Sequence, residues 1–147
     1  MTAEKKALAR QAVDAAERNL LNLTIPSGVR MVSWRERHVI RPIAEVELRA
    51  RPFGLFVNDT GGEVVGAVMV RFKKQRFEGR GGQPAADLLR RAVEAPVGHE
   101  VVAEYCIAID AFADQTFVAP IRTKRLRQEC EDAMYDLVGA WRVRTTA

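Results

Sequence analysis

Histidine, serine and cysteine are scarce in this chain: His38 and His99, Ser27 and Ser33, and Cys106 and Cys130 are the only ones in 147 residues. Nucleophilic catalysis of the triad type needs an activated Ser or Cys with a His in reach. Cys106 and His99 are spaced along one predicted strand so that, as even and odd positions, they point to opposite faces. His99 therefore reads as a loop residue at a strand entrance. Two cysteines make neither a disulfide framework nor a zinc set, and both read as buried free thiols. The carboxylates are no better grouped. Glu129, Glu131 and Asp132 share no helix face with a His, Asp110 and Asp114 bracket a turn, and Glu45 and Glu47 lie on the wet face of a strand. No metal and no cofactor is expected. There is no apolar run of about 18 residues to span a bilayer. The N-terminus carries Glu and Lys rather than the basic stub and apolar stretch of a signal peptide. A soluble, cytoplasmic protein without a membrane partner is the expectation.

What the chain does have is 48% hydrophobic residues and an excess of 23 basic over 19 acidic side chains, a net charge of +4. That length and hydrophobicity suit a single domain over residues 1–147 with one core. The positive charge is modest but clustered. Arg30, Arg35, Arg37 and Arg41 form one group, and Arg71, Lys73, Lys74, Arg76 and Arg80, with Phe77 among them, form another.

Leu8, Ala12, Ala16 and Leu20 recur every four residues and predict an amphipathic helix from residue 3 to about 21, with Thr2 as its cap. Its apolar stripe is mostly alanine, which allows close approach of another element. Pro26, Ser27 and Gly28 end it. From Val29 to Phe77 the pattern is mostly strand. Ala44, Val46, Leu48 and Ala50 alternate with Glu45, Glu47, Arg49 and Arg51. Phe53–Val57 and Glu63–Phe72 flank Asn58, Asp59, Thr60, Gly61 and Gly62, residues suited to a hairpin with positive φ angles. Pro84 opens a short helix through Leu88, Leu89, Ala92 and Val93, which Pro96 and Gly98 stop. Val101–Asp110 reads as a strand with Ala103, Tyr105, Ile107 and Ile109 on one face, and Thr116–Ile121 as its hairpin partner. A last helix, capped by Thr123, carries Leu126, Cys130, Ala133, Met134, Leu137 and Trp141. The expected fold class is α+β. It combines a mostly antiparallel sheet and long hairpin with N-terminal, C-terminal and short central helices packed on them.

The stretch from Glu63 to Gly82 runs from an apolar strand into a basic, glycine-rich segment. Gly79, Arg80, Gly81 and Gly82 follow a strand and open a helix, the setting of a phosphate loop. They lack the Lys-Ser/Thr ending and the dinucleotide fingerprint, and no parallel partner strand is legible. The loop reads as conformational. The cations and Phe72 and Phe77 interleave only partly on a strand, so a nucleic-acid platform is a weaker reading than a hairpin arm that contacts a partner chain.

In its size, its helix from Leu8 to Leu20, its hairpin around Asn58 to Gly62 and a helix laid on the sheet, the chain resembles the tail-terminator and other head-to-tail joining proteins of tailed bacteriophages. The resemblance implies a non-enzymatic ring subunit, usually of a hexamer, contacting its own copies and other structural proteins in a virion. The alternatives are a basic module binding nucleic acid or another anion, and a small enzyme with an unrecognised site.

Overall fold

The computed structural model describes the chain apart from residues 1, 35–38, 44–45, 74, 76, 78–80 and 147, and gives 39–43, 46–49, 143, 145 and 146 as backbone alone. Helix α1 (Ala3–Leu21) starts where the Thr2 hydroxyl accepts the Lys5 amide at 3.3 Å, the expected cap. Strand β1 (Val29–Ser33) follows, then β2 (Val39–Ile43) and β3 (Val46–Ala50), which pair with each other as a separate two-stranded sheet. Strands β4 (Gly54–Asn58) and β5 (Val64–Arg71) form the predicted hairpin. Helix α2 (Gly82–Val97) leads to β6 (Cys106–Asp110), β7 (Gln115–Val118) and helix α3 (Lys124–Thr146). The main sheet has the order β1-β4-β5-β6-β7.

Its four pairings are antiparallel except one: β5 and β6 run parallel, with Ala67 opposite Cys106 and Arg71 opposite Asp110. Helix α2 is therefore the crossover of a βαβ unit, and β6, expected as a strand with an antiparallel partner, is also the parallel neighbour of β5. The strands at the centre explain why the sequence shows no parallel pairing. Cys106–Asp110 is buried at every position and β5 is buried from Gly66 to Val68, so both faces are covered and the sequence pattern does not distinguish a parallel from an antiparallel neighbour.

The two faces of the sheet hold different cores. Leu55, Val57, Ala67, Cys106 and Ala108 pack against Ala86, Leu89, Ala92 and Val93 of α2. Phe56, Val68, Ile107 and Ile109 fill the opposite face with Leu20, and nearby Ala12 and Ala16 of α1 meet Ala111. The alanine stripe of α1 is thus its seat on the sheet, where small side chains bring the helix close.

Several boundaries depart from the sequence reading; β7, for one, spans Gln115–Val118 and stops short of the expected Ile121. Pro96 lies inside α2 rather than ending it, and the stop is Gly98 in the left-handed region at φ 75°, its amide bonded to the Glu94 carbonyl at 3.0 Å. A proline one residue before the helix end removes a single backbone bond from the final turn. Ala103–Tyr105 forms a 3₁₀ turn instead of the first half of a strand. That turn breaks the expected alternation: Ala103 enters the core beside α2, whereas Tyr105 packs with the cluster on the other face. Helix α3 continues past Trp141 to Thr146. None of the described helices is long and apolar enough to cross a membrane.

Candidate functional site

The parallel register sets Arg71, the last residue of β5, beside Asp110, the last residue of β6. Asp110 has no solvent exposure, and its carboxylate is the hub of the strand ends. One oxygen accepts the Ala113 amide at 3.4 Å. The other accepts the Phe77 amide at 3.3 Å and Nη1 of Arg71 at 3.4 Å. The same Nη1 donates to the Gln75 carbonyl at 2.6 Å, and the guanidinium lies over the Phe77 ring at 4.2 Å from its centroid. Phe77 in turn meets Phe117 of β7 edge-on, centroids 5.7 Å apart. A Cβ at Gly82 would run into the Phe117 ring, so this glycine is needed for the close approach of α2 to β7.

Arg71 was expected to reach for a partner. Its side chain is 17% exposed, and its charge is directed toward the chain's own Asp110. Lys73 and Phe72 continue outward and are exposed. Lys74, Arg76 and Arg80 lie outside the described residues, as do Arg35 and Arg37, and Arg41 is placed in β2 by its backbone alone. Arg30 stands on the edge strand β1, two strands from β5, and pairs with Asp59 at 3.4 Å across an exposed surface. Arg30 is therefore not beside Arg71 on the sheet.

Arg71, Lys73 and Phe77 share an open pocket of about 550 Å³ with Arg51, Met69 and Leu88. Arg51, just after β3, and the α2 residues are not expected there from the sequence; the crossover that carries α2 from β5 to a parallel β6 has no local sign. Asp110 was read as turn chemistry. It does accept the Ala113 amide, but its second role as partner of Arg71 depends on a contact 39 positions away.

The remaining candidates have structural partners. Burial pushes the Cys106 thiol up to about 12, so it remains protonated, while the His99 ring nitrogen Nε2 lies 2.8 Å from the Val64 carbonyl oxygen. Cys130, expected to be buried like Cys106, is only half-buried on α3, and burial still raises its thiol. Asp114, at φ 53°, is held below the usual carboxylate range by hydrogen bonds first from Arg18 and then from Asn19, which tie α1 to the β6–β7 turn. Among the described residues no group of three or more His, Cys, Asp or Glu is placed to hold a metal ion.

Asp110→Asn tests the hub. An asparagine must turn its amide nitrogen toward one of the donors now satisfied by carboxylate, and leaves Arg71 without its counter-charge. The expected loss is about 1–3 kcal/mol, with faster hydrogen exchange at the Phe77 amide. Unchanged unfolding and unchanged exchange would show that the hub does not anchor this segment.

Searches of family models, curated proteins and solved structures found no match to this chain.

Proposed function

We propose that this chain is a non-enzymatic assembly subunit that self-associates into a closed, ring-like oligomer and docks other structural proteins. The observation that carries the reading is the far half of α3. The near half is tied to α2 by Arg127 on Asp87 and by Arg91 on Glu131. Beyond those pairs Leu137 is 64% exposed and Trp141 65%, four residues apart on one face of the helix, and Tyr135 is 59% exposed on another. Large apolar groups concentrated in this way mark an interaction surface rather than an ordinary solvated face. A helix of this kind gains most of its stability from packing against something. A neighbouring subunit supplies that packing.

The inward turn of Arg71 also favours assembly over a nucleic-acid platform, because it takes one cation away from the surface that phosphates would meet. The bacteriophage tail-joining proteins, which the chain resembles in size, first helix and hairpin, give this proposal its setting: a subunit ring at a junction of a virion.

Size-exclusion chromatography with light scattering tests it. The unaltered protein is expected to elute as an oligomer, and Leu137→Glu with Trp141→Glu to convert it into a folded monomer. A chain that stays monomeric at its highest attainable concentration sinks the proposal.

A further inference from the structure

The pocket between β3, β5 and α2 has a chemistry that assembly does not use. At about 550 Å³ it falls within the roughly 300–1,000 Å³ typical of small-molecule sites. Met69, Phe77, Leu88 and Leu89 give it an apolar lining, and Arg51 and Lys73 stand exposed on it. Arg71 lines it too, held in position by Asp110 from the strand ends. No Asp or Glu is among the described residues that line the pocket. Its position has a meaning in the topology as well. It opens where β5 ends and its parallel partner begins to be reached through α2, and ligands of parallel βαβ units bind outside the carboxyl ends of such strands.

We infer that this pocket binds a small amphipathic anion, an acyl or aryl carboxylate. Its apolar body lies on Met69, Leu88 and Phe77, and its carboxylate meets Arg51 and Lys73. A neutral apolar ligand would shield those two cations from water and offer them nothing in return. A polyphosphate would set its charge against an apolar lining with few polar groups to receive the rest of the molecule. Because Asp110 already balances Arg71, Arg51 and Lys73 remain for the ligand among the described lining residues, a good match to one carboxylate with its hydrogen-bonding capacity.

The test is a chemical-shift titration of the isotope-labelled protein with octanoate and, separately, with 1-octanol. Octanoate is expected to shift the amides of Met69, Leu88 and Phe77 and to bind about tenfold more tightly than the alcohol, the increment expected of two partly exposed ion pairs. Arg51→Glu with Lys73→Glu is expected to erase that preference. Leu88→Trp, which fills the pocket, is expected to abolish binding of both compounds, with circular dichroism confirming that each variant is folded. The same titration on the Leu137→Glu, Trp141→Glu protein is expected to give the same affinities, which separates the pocket from the assembly surface. Equal affinity for acid and alcohol, shifts confined to Tyr135, Leu137 and Trp141, or no binding at all overturns the inference.

Discussion

Replacing Arg127 with methionine is expected to lower stability by about 3–5 kcal/mol and to loosen α3 from α2. Asp87 is buried on α2, its side chain 3% exposed, and it receives Nε of Arg127 at 3.1 Å and Nη2 at 3.0 Å in a two-pronged contact. The hydrogen bond to Asp87 is the largest cause of the raised pKa of Arg127, ahead of the opposing effect of burial. Methionine keeps much of the stem's apolar bulk, so the loss falls on the charge. Asp87 is then a carboxylate taken out of water without the guanidinium that now faces it, the situation in which breaking a buried pair costs far more than the pair itself contributes. Asp87→Asn combined with Arg127→Met removes that stranded charge and is expected to recover a large part of the loss. Arg125→Met is the control. Arg125 meets Glu129 at 3.0 Å, but their side chains are 93% and 63% exposed, and such a pair is worth less than about 1 kcal/mol. Denaturant unfolding of all four proteins decides the matter. Equal midpoints for Arg127→Met and Arg125→Met would mean that Asp87 is hydrated and that α3 is held by something else.

The Asp87–Arg127 contact also illustrates what was legible in the sequence. Local signals carried well: the Thr2 cap, the turn chemistry of Asn58 to Gly62, and the stripe of α1 all act within a few residues, and each produced its element. Signals that arise between elements did not. Arg125 with Glu129 is visible as a spacing of four, yet Arg127 bonds to Asp87, 40 positions distant, instead of to Glu131 on its own helix. Glu131 is turned to Arg91. The parallel pairing of β5 with β6 was hidden for the same reason, since a strand buried on both faces has an unbroken apolar pattern whichever direction its neighbour runs. The candidate site inherits this limit. The basic character of Arg71 and Lys73 is plain in the sequence, but the division between them is not: one cation turned onto Asp110, the other left at the pocket.

Gly66→Ala is expected to be the most damaging of the small substitutions, at about 3 kcal/mol or more. Gly66 sits in the middle of β5 where the 3₁₀ turn before β6 crosses it. A Cβ built there would overlap the Tyr105 carbonyl oxygen and lie 2.8 Å from its carbonyl carbon. Those are backbone atoms, so no side-chain rotation relieves the contact. The turn itself is fastened on both sides, by the Val102 amide on the Val65 carbonyl at 2.8 Å and by the Tyr105 amide on the Val102 carbonyl at 3.0 Å. Making room therefore means shifting β5 against β6, which disturbs the parallel pairing and with it the alignment of Arg71 and Asp110 at the strand ends. Gly139 of α3 makes the opposite case. A Cβ there would meet nothing within 4 Å, and alanine in a helix is favoured over glycine by roughly 0.5–1 kcal/mol. Thermal unfolding of the two variants should then move in opposite directions, Gly66→Ala downward and Gly139→Ala slightly upward. If Gly66→Ala unfolds like the unaltered protein, the 3₁₀ turn does not lie on β5, and the close approach that seats the crossover is wrong.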